Sequence, residues 1–235
     1  MAARRFDLRS SVARKLVNGL TGLLAMLFIV AHLAGNLTLL GGRDAFNTYA
    51  ESLHRLGALV YVAEVGLLLM FAAHAVTAIQ VFLHKRAARQ TRYVVARTKG
   101  PPSHQTLSSR TMIVTGLVLL AFLIWHVIQF RFGTYYTTAL HGAEVRDLYR
   151  LAWEVFQSPV WVALYVAVMA LLGFHLRHGF WSAFQSIGLL SANVRPFAYG
   201  AGIVFAVVMA VGFLVLPIYM ALFAPAPTAA VAMVS

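Results

Sequence analysis

Five long apolar runs, at about residues 17–40, 56–84, 110–132, 159–182 and 197–223, alternate with shorter polar stretches. Each reaches the ~20 residues that a helix needs to cross ~30 Å of hydrocarbon. None alternates polar and apolar positions as the strands of a membrane barrel do. A backbone in lipid must satisfy its own hydrogen bonds, so helices are expected. The second run is long enough to tilt or to extend beyond the bilayer. The pattern predicts an all-α membrane protein, a bundle of five transmembrane helices over 17–223. A polar tail over 1–16 precedes it, and a loosely ordered tail over 224–235 follows. Pro217 is expected to bend the fifth helix near its end. No clear internal repeat is legible.

Composition sharpens this reading. The chain has 235 residues, of which 60% are hydrophobic and 11% charged, against about a quarter charged in a soluble domain. With no cysteine, disulfides, thiolate metal sites and iron–sulfur clusters are excluded on this chain. The net charge of +12 does not point to nucleic acid, because the cations lie between the apolar runs. Arg4, Arg5, Arg9, Arg14 and Lys15 precede the first run, against Asp7. Lys85, Arg86, Arg89, Arg92, Arg97, Lys99 and Arg110 follow the second, and Arg177 and Arg195 flank the turn before the fifth. The other two loops are balanced, with Arg43 and Arg55 against Asp44 and Glu51, and Arg131, Arg146 and Arg150 against Glu144, Asp147 and Glu154. The positive-inside rule then predicts a cytoplasmic N-terminus and an external C-terminus. The basic face suits anionic lipid and also the docking of a cytoplasmic partner.

The candidate chemistry lies in the histidines. His54, His84, His104 and His141 fall in or near loops, whereas His32, His74, His126, His175 and His178 fall inside the spans. Ionisable residues within spans are rare and carry function by default. At ~1.5 Å per residue, His32 lies ~22 Å and His126 ~24 Å from the basic ends of their helices. His74 lies ~15 Å and His175 ~12 Å from theirs. Two pairs at two depths, each joining two helices, is the geometry of two stacked bis-histidine b-type haems, which need no covalent attachment. His178, one turn beyond His175, competes with it as a ligand. The depth match to His74 favours His175. His178, with Arg177 and Trp181, is otherwise a candidate contact for a haem propionate or a quinone head group.

At these residues the chain resembles a family. "SSVARKLVNGLTGLLAMLFIVAHLAGN", "FAAHAVTAIQVF", "LLAFLIWHVIQFRFG" and "LLGFHLRHGFWSAFQSIGL" resemble four successive helices of a cytochrome b family. That family is the membrane-anchor subunit of succinate dehydrogenases and fumarate reductases, in its single-chain, five-helix, di-haem form. The resemblance implies that His32 and His126 bind the distal haem b, and that His74 and His175 bind the proximal one. It implies an iron–sulfur subunit and a flavoprotein subunit as partners, with (mena)quinone as the electron acceptor. The setting would be the bacterial cytoplasmic membrane, and the complex a candidate for higher oligomers. Flavin and dicarboxylate chemistry would reside on the partners, since this chain has no Gly-rich dinucleotide fingerprint.

Supporting residues follow from charge and depth. Ser11, Arg14 and Lys15 are candidate propionate contacts for the inner haem, and Arg131 for the outer one. Glu64, the lone carboxylate inside a predicted span, is a candidate for quinone protonation, and Glu51 is a weaker one. Family members with an acid just before the fourth-helix histidine differ from this chain, which has Gly173 and Phe174 there. Trp125 is expected beside a haem edge or in helix packing. Two other readings stay open. One is a di-haem cytochrome b serving a hydrogenase or formate dehydrogenase, and the other a proton-coupled transporter.

Overall fold

Ser10 opens the first helix: its hydroxyl accepts the Ala13 N–H at 3.1 Å, satisfying one of the orphan donors of a helix start. Helix α1 (Ser11–Asn36) therefore starts six residues before the apolar run does. The computed structural model describes residues 10–87 and 111–227. Arg4, Arg5, Asp7, Arg9, Arg89, Arg92, Arg97, Lys99, His104 and Arg110 lie outside the described residues. After α1 come a 3-10 turn (Leu37–Gly41), α2 (Gly42–His54), α3 (Ala58–Ala87) and α4 (Met112–Arg131). Strands β1 (Thr137–Leu140) and β2 (Ala143–Arg146) follow, then α5 (Leu148–Phe156), α6 (Pro159–Ser186) and α7 (Arg195–Leu222). Among the described residues, five helices are long and apolar enough to cross a membrane: α1, α3, α4, α6 and α7. Such helices indicate a multi-pass protein in a lipid bilayer.

The chain is mainly helical, with one departure. Strands β1 and β2 form a small antiparallel hairpin in register Thr137↔Arg146 to Leu140↔Ala143. Its turn, His141 and Gly142, has positive φ at both positions (50° and 79°), the backbone of a tight two-residue hairpin loop. Helix α2 likewise occupies a stretch whose balanced charges read as a loop. The chain leaves α1 where the Thr38 hydroxyl donates to the Gly35 carbonyl at 2.6 Å. It turns at Gly42, whose φ of 87° few residues other than glycine adopt. Gly35 packs directly on Tyr49, where a methyl group would collide with the phenol. Pro217 lies inside α7, which continues five residues beyond it to Leu222.

Alternating helix direction gives the bundle two unlike ends. One carries α2, the hairpin and α5 and is called here the capped end. The other gathers Arg14, Lys15, Lys85, Arg86 and Arg195 and is called the basic end. The cap is tied by a buried polar network. Asp147 caps α5 by accepting the Arg150 N–H at 3.1 Å. It also accepts the Asn47 amide at 2.8 Å and the Arg43 guanidinium at 2.5 and 3.1 Å. Asn47 accepts the Tyr149 N–H at 3.0 Å. Charges that balanced one another between loops thus join α2 to α5. The segment after α7 is held as well: Tyr149 donates to the Pro225 carbonyl and Trp153 to that of Ala224. Residues 224 and 225 are therefore anchored, where the composition predicts a loose tail.

Packing within the bundle is lopsided. Helices α6 and α7 lie against each other along their length, and α1 packs on both. Gly19 meets Ser186, and Gly212 meets Leu33, at distances that leave no room for a methyl group. By contrast, none of the 30 residues of α3 is buried by the protein itself, and in α4 only Thr115 is. Helix α3 nevertheless packs on α1, and α4 on α6, and a cavity of about 3060 Å³ opens among these helices. Single small-ligand pockets are about 300–1,000 Å³.

The Asp147 network generates a prediction. Burial alone would raise the Asp147 pKa; Arg43, Asn47 and the Arg150 N–H overcome that and hold it below the usual carboxylate value. Its stabilisation is therefore fully present above about pH 4, and it is lost as pH falls through the lowered folded value. Asp147→Ala removes the acceptor that Arg43, Asn47 and the Arg150 N–H share in the buried network. It should cost about 3–5 kcal/mol, with Asp147→Asn costing less because an acceptor oxygen is kept. Thermal unfolding of the detergent-solubilised protein measures both.

Candidate functional site

Six histidines line the cavity: His32 from α1, His54 from the end of α2, His74 from α3, His126 from α4, and His175 and His178 from α6. His32 and His126 face each other near the capped end, with ring centroids 5.9 Å apart and planes at 87°. His74 sits against Gly22 of α1, and His175 against Gly116 of α4. Gly22 precedes His32 by ten residues, and Gly116 precedes His126 by ten. Each seat is therefore ~15 Å along its helix from the capped-end pair. His74 and His175 lie at matching heights and within electrostatic range of each other. The structure thus brings the histidines to two levels of one cavity.

Hydrogen bonds decide which ring nitrogen is bare. The Thr21 hydroxyl donates to the Val17 carbonyl at 2.7 Å and lies 3.3 Å from His74 Nδ1. Its proton is committed to the helix, so its oxygen accepts from His74 Nδ1–H. The carbonyl of Asn18 also bonds the His74 ring. The Thr115 hydroxyl donates to the carbonyls of Met112 and Thr111 at 3.1 and 3.2 Å and lies 3.2 Å from His175 Nδ1. At the other level Tyr165 donates to Gln129 at 2.6 Å and lies 3.2 Å from His126 Nδ1. With those hydroxyl protons on their own carbonyl or amide acceptors, Nδ1 carries the ring proton in all three, and the Nε2 lone pair is left for a metal. His32 differs: the Asn36 amide lies 3.4 Å from both of its ring nitrogens and donates to the His32 carbonyl at 2.8 Å.

The walls are apolar and aromatic. Phe28 stacks on His32 at 5.4 Å, and Phe122 on His126 at 5.6 Å. Phe213 of α7 closes on His32 at 6.0 Å. Among the described residues no three His, Asp or Glu side chains come together as a metal cage. Two facing imidazoles offer only two of the six positions of an octahedral metal, a donor set that a planar macrocycle would complete. At the capped end, His32 and His126, with ring centroids 5.9 Å apart, would be the residues to hold such a metal. The donor set and the apolar walls therefore fit an iron porphyrin held by imidazole.

The other expected residues fall as follows. Lys15 lines the basic end of the cavity; Ser11 and Arg14 lie on the same turns of α1, Ser11 exposed and Arg14 half-buried. Glu64 is bound across the cavity mouth by Arg131, whose Nε donates to Oε1 at 2.7 Å and Nη2 to Oε2 at 3.3 Å. The two residues expected separately, as proton donor and propionate contact, are thus one ion pair. Glu51 pairs with Arg55 on α2. His178 turns its ring onto Trp181 at 4.8 Å, and Trp181 meets Tyr199 at 4.9 Å. Its Nδ1 is buried with no hydrogen-bond partner among the described residues. Arg177 is not on the cavity wall. Trp125 stacks on Trp161 at 5.3 Å, in helix packing between α4 and α6. Sequence reasoning missed Thr21, Thr115 and Tyr165, because a hydroxyl in an apolar helix carries no signal until its neighbour is known. Compared with protein-family models, curated proteins and solved structures, the chain matches none.

The assigned tautomers are open to measurement. In cofactor-free protein labelled with ¹⁵N-histidine, NMR should find His74, His126 and His175 protonated at Nδ1 and bare at Nε2. Tyr165→Phe should remove that preference at His126 alone.

Proposed function

We propose that this chain is the membrane-anchoring, di-haem cytochrome b subunit of a succinate:quinone oxidoreductase. The observation that carries the reading is the set of four histidines, one from each of four helices, at two levels of one apolar cavity. His32 and His126 would hold the iron of the distal haem b, and His74 and His175 that of the proximal one. Bound there, the two haems supply one-electron transfer across ~15 Å of the membrane. The choice of His175 over His178 rests on Thr115, which orients His175 and has no counterpart at His178.

The chain's own residues do the rest. Phe28, Phe122 and Phe213 exclude water from the distal level. Lys15, with Ser11 and Arg14, supplies positive charge and a hydroxyl for carboxylates at the basic end. His178 and Trp181 line that end and suit a propionate or a quinone head group. Glu64, ion-paired with Arg131, is the group that would exchange a proton with the quinone, for which menaquinone is the expected species. The basic end would face the cytoplasm and dock the iron–sulfur subunit, which receives electrons from the flavoprotein subunit. The membrane would then be the bacterial cytoplasmic membrane.

A reduced-minus-oxidised spectrum of the purified complex should show b-type haem at about two per chain. His32→Ala or His126→Ala should lose mainly the distal haem, and His74→Ala or His175→Ala mainly the proximal one. Absence of haem from the unmodified chain overturns the reading. Loss of the proximal haem in His178→Ala, but not in His175→Ala, reassigns its ligand. Co-purification of a flavoprotein with succinate dehydrogenase activity separates it from a hydrogenase or formate dehydrogenase cytochrome.

A further inference from the structure

Two stretches of the chain carry the same residues at the same spacing and use them in the same way. Residues 21–32 read TGLLAMLFIVAH, and residues 115–126 read TGLVLLAFLIWH. Thr, Gly, Leu, Phe and His coincide at five of the twelve positions. In each copy the threonine hydroxyl bonds a carbonyl four residues back and lies against the Nδ1 of a histidine on the next spanning helix. In each, the adjacent glycine opens the space for that imidazole: a methyl group on Gly22 or Gly116 would stand 3.3 Å from His74 or His175 Cε1. In each, the phenylalanine stacks on the histidine four residues later, at 18° and 27° between planes. Threonine often bonds its own helix in this way. That habit does not explain why both hydroxyls also meet a histidine, or why a glycine follows each.

We infer that these stretches are two copies of one ligand-holding cassette, and that Thr21 and Thr115 are paired positioning residues which together set the redox poise of the proximal haem. The inference rests on the di-haem reading and deepens it. Helices α1 and α3 form one half, and α4 and α6 the other. Each half seats its second histidine on its own Thr–Gly step and presents its first histidine one level away. The pair at each level then draws one histidine from each half. A hydroxyl accepting from Nδ1–H makes the imidazole a stronger electron donor to a metal on Nε2. Electron donation favours the oxidised metal, so both threonines lower the potential of the same haem. The distal level lacks this symmetry. Tyr165 supports His126, and among the described residues no hydroxyl supports His32, so the threonines act on one haem only.

The test is a potentiometric titration of both haems in the intact, purified complex. Thr21→Val and Thr115→Val should each raise the proximal midpoint and leave the distal one unchanged. The expected size is about tenfold in the reduced-to-oxidised ratio, or about 59 mV for one electron. The double variant should shift it further, and Thr21→Ser and Thr115→Ser should restore the original value. If the valine variants instead lose the proximal haem while the serine variants keep it, the hydroxyl requirement stands. Two haems with unmoved midpoints, equal shifts in both haems, or loss of haem in the serine variants overturns the inference while leaving the di-haem reading intact. Absence of haem from the unmodified complex defeats the di-haem reading itself.

Discussion

A neutral imidazole has one N–H, and inside an apolar bundle that proton must find an acceptor. Most candidate acceptors there are helix carbonyls already engaged in their own ladders. Thr21, Thr115 and Tyr165 solve the problem with an oxygen whose own proton is committed elsewhere. The solution sets the tautomer, the tautomer sets the bare nitrogen, and the three rings line the cavity. Ring orientation, helix spacing and the placement of glycine all follow. A side chain at position 22 or 116 would crowd the imidazole, its Cβ standing 3.3 Å from the ring.

The same constraint explains why the bundle packs so unevenly. Helices α1, α6 and α7 bury side chains against one another, as a self-sufficient membrane core does. Helices α3 and α4 pack on α1 and α6 respectively, yet bury almost none of their own residues, because the histidine-lined cavity lies on their inner side. They face a space of about 3060 Å³ lined mainly by apolar side chains. At the capped end the polar network of Asp147 fixes α2 and α5 over the bundle independently of that space.

The five spans and the two histidine levels were legible because both depend only on length and rise per residue. What escaped had no such periodic signature. Arg43 and Asp147 cancel in a charge count, yet they form a buried link over a hundred residues apart in sequence. Short amphipathic α2 and α5, and the hairpin between β1 and β2, look like loops beside twenty-residue apolar runs. The cassette was hidden because seven of its twelve positions exchange mostly one apolar side chain for another. Its five fixed residues acquire meaning only when His74 and His175 are seen lying on them. Glu64 was legible as an unusual carboxylate, but its partner Arg131, 67 residues away, was not.

The division of the chain into two halves has a consequence for biogenesis. Helices leave the ribosome in order, so α1 and α3 enter the membrane before α4 exists. His74 can settle on Thr21 and Gly22 at that stage, because the whole seat lies within the first half. No facing pair of histidines can form until α4 arrives, and none is complete at the Thr115 level until α6 follows. The binding cavity is therefore closed last, by the second half docking onto the first. A prosthetic group inserted before then would have a ligand on one side only.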